Sequence, residues 1–360
     1  MNICEELLPL PCVYKRLAAE KRPVLLYGMG NGAEKIYSVL SDKGIKISGV
    51  FASEGFVRGQ SFLGYRVMSL EEAEAVFGDF AAVLCFALEG DKTRILAYIK
   101  QRHTLYSPNL PVYGEGMLDR EYILSQSKKI QRLYDCLADN LSKELFVSLL
   151  KYNITGETDY LTENKSGYFY PKGFFMHNKR HIDVGAYNGD TVIEYTALNP
   201  FYSDVVAFEP DIINYKKLKN NTAHLRDVIC EKAAVCDREG NAGFYAKGSR
   251  SSALQTESEG IRTVTIDGYC SQRTVNATGA EVGSIKIDAE GADREVLQGA
   301  VNVIYRNRPD IMAALYHRAS DLIDLPLLIR SYDYKYKLYL RKKEYVPAWD
   351  VFLLAASPKL

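Results

Sequence analysis

The stretch that decides the fold is His181-Ile-Asp183-Val-Gly185-Ala186-Tyr187-Asn-Gly189-Asp190-Thr191, continued by Val205-Val-Ala-Phe-Glu209-Pro210-Asp211. An apolar strand stops at an aspartate, a glycine turn feeds a helix, and a second apolar strand ends in a carboxylate. That order builds a ligand crevice at the carboxyl edge of a parallel sheet. Gly185 and Gly189 allow a tight turn and a close approach of backbone to ligand. Asp190 or Asn188 is placed to cap the next helix, whose Val192, Ile193, Thr196 and Ala197 recur at helical spacing. Asn199-Pro200 ends that helix. Glu209 follows the turn by about 20 residues, the place where an acid holds a ribose diol.

The glycines read D-x-G-x-x-x-G rather than G-x-G-x-x-G. The second arrangement brings a pyrophosphate onto a helix N-terminus. An aspartate beside the turn repels a pyrophosphate and suits a cationic ligand. S-adenosyl-L-methionine carries a sulfonium, an amino group and a ribose but no phosphate, so the charge pattern favours it over NAD.

Downstream runs extend the pattern. They are Ser284-Ile-Lys286-Ile-Asp288-Ala-Glu290-Gly291-Ala-Asp293, Glu295-Val-Leu297-Gln-Gly299-Ala300, Arg308-Pro309-Asp310 and Leu315-Tyr316-His317. With the glycine turn and Ala207-Phe-Glu209-Pro210-Asp211, residues from about 150 to 360 resemble the FkbM-type S-adenosylmethionine-dependent methyltransferases. The K-x-D-x-E-G run after an E-P strand end is the distinctive part; many methyltransferases share the glycine turn. The resemblance implies a mostly parallel seven-stranded sheet with one reversed strand, and an O-methyltransferase acting on a hydroxyl of a small molecule such as a sugar or glycan precursor. It places a base near Ala233, at the end of the strand that follows Glu209.

Composition narrows the alternatives. Lys plus Arg equals Asp plus Glu, 45 each, so no global field draws the chain to nucleic acid or anionic membrane. The longest apolar run, Ala81 to Leu88, is too short to span a bilayer. The start lacks a basic segment followed by an apolar one, so no secretory signal is expected. Seven cysteines without a C-x-x-C pair point to reduced thiols and a cytoplasmic setting.

The length suits two α/β units. Residues 1–116 read as a smaller Rossmann-like domain: the strand Pro23 to Tyr27, the turn Gly28-Met-Gly30-Asn-Gly-Ala33, a helix to Leu40 and the strand Ile45 to Phe51. The turn fits G-x-G-x-x-A, which keeps open an NAD-dependent oxidoreductase or a nucleotide-sugar-binding protein. The acid that should close the second strand is missing, and only Glu54 lies near. Residues 117–152 read as a connecting helical layer, and 153–360 as the catalytic domain. Within the latter, the aromatic-rich stretch Thr155 to Asn178 is either a lid or an irregular cover for a sheet edge. Ala242 to Ala246 and Ile261 to Ile266 suggest short strands around the loop Gly248 to Ser252, and Pro326 is expected to interrupt a helix from Asp321 to Ser331.

Candidate cofactor-binding residues are Asp183, Gly185, Ala186, Tyr187, Gly189, Asp190, Thr191, Glu209, Pro210, Asp211, Ala233 and Asp288. An alcohol needs alignment and a base to attack at neutral pH. Asp288 and His317 are the leading bases, with Glu290 a third candidate. Lys286 is placed to hold a carboxylate or steady a developing alkoxide. Asp288 and Glu290 can also hold a hard cation such as magnesium, but acids at a helix start equally serve the macrodipole. No metal is expected.

Overall fold

A computed structural model describes residues 3–114, 116–162, 169–242, 260–273 and 281–357. The loop Gly248 to Ser252 lies outside those residues, as do residues 163–168 of the aromatic stretch.

The C-terminal half is built on a seven-stranded sheet whose strands, numbered within it, are β1 Arg180–Val184, β2 Val205–Phe208, β3 Val228–Glu231, β4 Val282–Ile287, β5 Asp310–Ala314, β6 Lys337–Lys342 and β7 Val351–Ala356. Their order across the sheet is β3-β2-β1-β4-β5-β7-β6. All pairings are parallel except those of β7, which is antiparallel to both β5 and β6. This is a Rossmann-like arrangement, a mostly parallel sheet with one reversed strand. Strands β1, β2, β4 and β5 are buried along their whole length, as parallel strands covered on both faces are, and β1 and β4 carry buried polar residues, among them Asp183 and Lys286. The strand order reverses at β1, and β1 is therefore the switch point where such sheets bind ligands.

The N-terminal sheet runs Ser61–Phe62, Tyr65–Met68, Gly49–Phe51, Val24–Tyr27, Ala81–Leu84 and Thr104–Tyr106 in spatial order. Only Ser61–Phe62 is antiparallel to its neighbour. The strand read as Ile45 to Phe51 forms only over its last three residues.

The two halves share an interior. One apolar cluster runs from Leu25, Phe51 and Phe80 through Leu133, Phe146 and Leu149 to Ile182, Ile285 and Leu340. Its middle comes from helices Arg120–Ser125, Ser127–Cys136 and Asn140–Thr155. Asp139 caps the third helix on the Ser142 amide at 2.8 Å and pairs with buried Arg341 of β6 at 2.7 Å. The Leu340 amide donates to Ser142 Oγ at 2.9 Å. The segment read as a connection thus covers the β6 edge, whose amides would otherwise stand open. A second tie is antiparallel pairing of Leu88–Glu89 with Tyr345–Val346.

Two local expectations change. Ile266 begins the helix Ile266–Arg273 instead of ending a strand; Gly240–Ala242 pairs with Ile261–Val264, and residues 243–246 of the other expected strand lie outside the described residues. The helix Asp321–Tyr332 passes through Pro326 without a break. Leu322, Ile323, Leu325 and Ile329 are buried around the proline, and that packing outweighs one missing backbone bond. The described part of the aromatic stretch is a cover: Phe174 and Phe175 are buried, and His177 Nε2 and the Phe175 amide both meet Asp310 at the start of β5. All seven cysteines are free thiols, and no helix among the described residues is long and apolar enough to cross a membrane.

Candidate active site

The first wall grows from β1. Gly185 has φ +72°, and a Cβ there would lie 1.9 Å from the Asp288 carbonyl oxygen, so glycine is required for the loops after β1 and β4 to touch. The amides of Gly185 and Ala186 both donate to the Phe208 carbonyl at 3.0 Å. Gly189 has φ +89° and precedes the helix Asp190–Leu198. Neither acid nor amide caps that helix in the expected way: Asn188 Oδ1 accepts the Asp190 amide, and Asp190 Oδ1 accepts the Thr191 amide. Its buried face is Val192, Tyr195 and Thr196, while Ile193 is exposed.

At the end of β2, Glu209 is 6% exposed. Its Oε2 accepts the Tyr187 amide and its Oε1 the Asp211 amide, each at 2.9 Å. Burial pushes its carboxyl up to about 7, despite those two donors. Tyr187 itself is exposed, at φ +46°, with the Lys217 ammonium 5.8 Å from its ring centroid. Glu209 is therefore a nearly buried carboxyl at the end of β2, held by the amides of two loops. Asp211 does something else: it caps the helix Ile212–Thr222 through the Ile213 and Asn214 amides. Ala233 is fully buried just beyond β3.

Asp183 and Lys286 form the floor rather than the wall. Asp183 is 0% exposed and Lys286 4%. The ammonium lies 3.1 Å from Asp183 Oδ1 and donates to the Gly185 carbonyl at 2.7 Å. The other Asp183 oxygen accepts from Thr191 Oγ at 2.5 Å. Burial alone would lower the Lys286 pKa, but Asp183 and Asp288 outweigh it and raise it. Of the two roles expected for Lys286 it takes the first, holding the Asp183 carboxylate. The expectation for Asp183 changes: its charge is spent on Lys286, so it offers no net attraction to a sulfonium. Thr191 likewise holds Asp183 rather than a ligand.

The second wall follows β4 and β5. Asp288 has a side chain 24% exposed, and Tyr316 Oη donates to its oxygens at 3.3 and 3.4 Å. Burial raises the Asp288 carboxyl, yet His317, Lys286 and Tyr316 together hold it below the ordinary range. His317 is fully buried, with Nδ1 2.8 Å from Asp293 Oδ2 and Nε2 3.2 Å from Asp288 Oδ1. Burial opposes its charge, but the two acids overcome it and raise its pKa well above the usual value. The two acids thus favour the charged form of the His317 ring, which weighs against it as the base. Glu290 is exposed at φ +49°.

Asp293 was quoted in the downstream run without a role, and it proves to organise this wall. It is buried and accepts the Ala289 amide at 3.0 Å and the Gly291 amide at 3.2 Å besides meeting His317. A third acid within six residues, at a helix start, was the available signal. Tyr113 had no signal at all. Its amide donates to the His317 carbonyl at 2.8 Å, its ring lies against Gly291, and the Arg318 guanidinium stacks on it at 4.9 Å. The N-terminal half thus buttresses the loop that carries Asp288 and Glu290.

The first-half glycine turn has a different character. Gly28 and Gly30 have φ +109° and +99°, but the close contact belongs to Gly32, whose Cβ would lie 2.4 Å from the Cys85 carbonyl. No acid closes the strand Gly49–Phe51; Glu54 is exposed in a turn, and Ser53 Oγ meets Tyr27 Oη at 2.6 Å.

Residues 183–336 match the family model for the Methyltransferase FkbM domain. That segment, under half of the chain, carries the likeness to an FkbM methyltransferase domain. A crystal structure of methyltransferase FkbM from Methylobacillus flagellatus is similar over 98% of this chain and 97% of that one, with a TM-score of 0.73 and 17% identity. The likeness therefore includes the fold of the N-terminal half. Aeropyrum pernix fibrillarin, in complex with S-adenosyl-L-methionine, is matched over 51% of this chain and 71% of its own, at a TM-score of 0.31 and 10% identity. No curated protein matches the chain.

Proposed function

We propose that this chain is an FkbM-type methyltransferase that uses S-adenosyl-L-methionine to methylate a hydroxyl of a small molecule, with sugars and glycan precursors the class to test first. The observation that carries the reading is Glu209: a carboxylate at the end of β2, pinned by two amides, beside the switch point of the sheet. It accepts the ribose hydroxyls, and the Gly185–Tyr187 turn receives the amino-acid end. The donor's positive charge then relies on the overall acidity of Glu209, Asp288 and Glu290 rather than on Asp183.

The transfer is an in-line displacement. The acceptor oxygen forms the new C–O bond, the S–C bond breaks with its electron pair passing to sulfur, and the hydroxyl proton leaves. Asp288 is the partly exposed carboxylate placed to receive that proton, with Tyr316 and His317 orienting it. Glu290, exposed beside it, is placed to hydrogen-bond a polyol acceptor. Alignment of the two reactants supplies most of the rate.

Thermal-shift and mass-spectrometric screening of the full chain tests this reading. S-adenosylmethionine and S-adenosylhomocysteine are expected to raise Tm, NAD and nucleotide sugars to leave it unchanged, and a hydroxylated acceptor panel to gain one methyl. Stabilisation by NAD alone would overturn the reading and favour the Gly28–Ala33 turn. Cofactor binding without transfer to any acceptor would favour a binding module.

A further inference from the structure

Two acids on one loop do not make a metal site, and the sequence led us to expect none. The additional observation is a buried nitrogen. His317 is 0% exposed; its Nδ1 is engaged by Asp293 at 2.8 Å, while its Nε2 makes no hydrogen bond of acceptable geometry. That Nε2 is aimed at Asp288 Oδ1, 3.2 Å away, and Glu290 Oε2, 3.8 Å away. An imidazole anchored on a carboxylate through one nitrogen, with the other turned toward a polar opening, is how ligating histidines are commonly held. Two atoms about 2.1 Å from one octahedral ion stand about 3 Å apart, close to the observed Nε2–Oδ1 separation. Glu290 is exposed, and its side chain would have to turn inward to complete the site.

We propose that Asp288, Glu290 and His317 Nε2 bind one divalent cation at the carboxyl edge of the sheet, with Asp293 fixing the imidazole behind it. One imidazole nitrogen and two carboxylates suit Mn²⁺ or Zn²⁺ better than Ca²⁺. The partly exposed Asp288 and the exposed Glu290 provide an entry path. On the opposite side of the ring, Asp293, His317 and Asp321 are the group that, among the described residues, brings ligand atoms within 4.8 Å of one another. All three are buried there, and both acids already accept backbone amides, so that side is support. The binding of the ion is independent of the methyltransferase reading. Its role is not: on that reading the ion holds the acceptor oxygen and eases loss of its proton.

The test is a titration of chelator-stripped, full-length protein with MnCl₂, following free Mn²⁺ by electron paramagnetic resonance. Saturable binding of one ion per chain is expected. Asp288→Asn and Glu290→Gln should each weaken it by about 10-fold or more, and Asp293→Asn by a similar factor through the ring it orients. Failure to saturate below millimolar Mn²⁺ would overturn the proposal, as would affinity unchanged in both Asp288→Asn and Glu290→Gln. Glu290 is exposed, so its variant keeps the test valid if a buried one misfolds. Calorimetry with S-adenosylhomocysteine on the same stripped sample separates the two ideas. Mn²⁺ binding without S-adenosylhomocysteine binding removes the methyltransferase reading and leaves the metal site; the reverse removes the metal site alone.

Discussion

Two glycine turns sit at the carboxyl ends of two parallel sheets in this chain, and their surroundings differ. Around Gly185 the backbone of one loop presses on the carbonyl of another, a buried ion pair holds both from below, and Glu209 is held by two amides at the end of β2. Around Gly28 the nearest heavy atoms are a phenylalanine ring, and the neighbouring strand ends in a hydroxyl pair instead of an acid. A glycine turn supplies room for a ligand. The charge and the rigidity that select one come from residues outside the turn.

The largest expected break in this contrast comes from the floor. Lys286→Met leaves Asp183 as a buried, uncompensated charge and should cost about 3–5 kcal/mol in denaturant unfolding. Adding Asp183→Asn should restore part of that loss. Asp183→Ala is for the same reason expected to destabilise the fold itself, not simply to remove a ligand contact.

Next, Gly185→Ala should lower stability by about 3 kcal/mol or more, since it meets a backbone oxygen at a positive φ. Gly30→Ala has the positive φ but nothing within 4 Å, and should cost only about 1 kcal/mol. Comparable losses at both sites would erase the distinction between the turns.

The pH response separates the turns by a smaller margin. Glu209 is raised from 4.5 to about 7 by burial, so the folded state binds more protons than the unfolded one between those values. Its contribution to stability is full below the unfolded value and is lost as pH rises through 7. Binding of a ribose to the carboxylate runs the other way, and S-adenosylhomocysteine affinity should increase about 10-fold from pH 6 to pH 8. Glu209→Gln should flatten that profile in calorimetry. The smallest effect is expected at Asp211, whose carboxylate caps a helix. Asp211→Ala should cost about 1 kcal/mol in stability and leave cofactor affinity unchanged.

Much of the fold was legible because buried parallel strands are short apolar runs bounded by glycine, proline and acid. Val205–Phe208 announced itself in this way, Arg180–Val184 through the Asp183 and Gly185 that close it, and the alternation from Tyr334 onward marked the closing hairpin. What escaped was short or non-local. Thr104–Tyr106 is three residues long, and Pro326 is overruled by packing. The partnership of Lys286 with Asp183 spans a hundred positions, and Tyr113 meets Gly291 from the other half of the molecule. Sequence spacing located the strand-end acids but could not tell what each one meets: Asp183 pairs with a lysine, Glu209 accepts two amides, and Asp211 turns back onto its own helix.

The most direct measurement is calorimetric titration of S-adenosylhomocysteine into the full chain and into Glu209→Ala and Glu54→Ala. The account predicts about a 100-fold loss of affinity for Glu209→Ala, in line with removing hydrogen bonds to a charged acceptor, and no change for Glu54→Ala. Equal affinities for all three proteins, or a loss confined to Glu54→Ala, would contradict it.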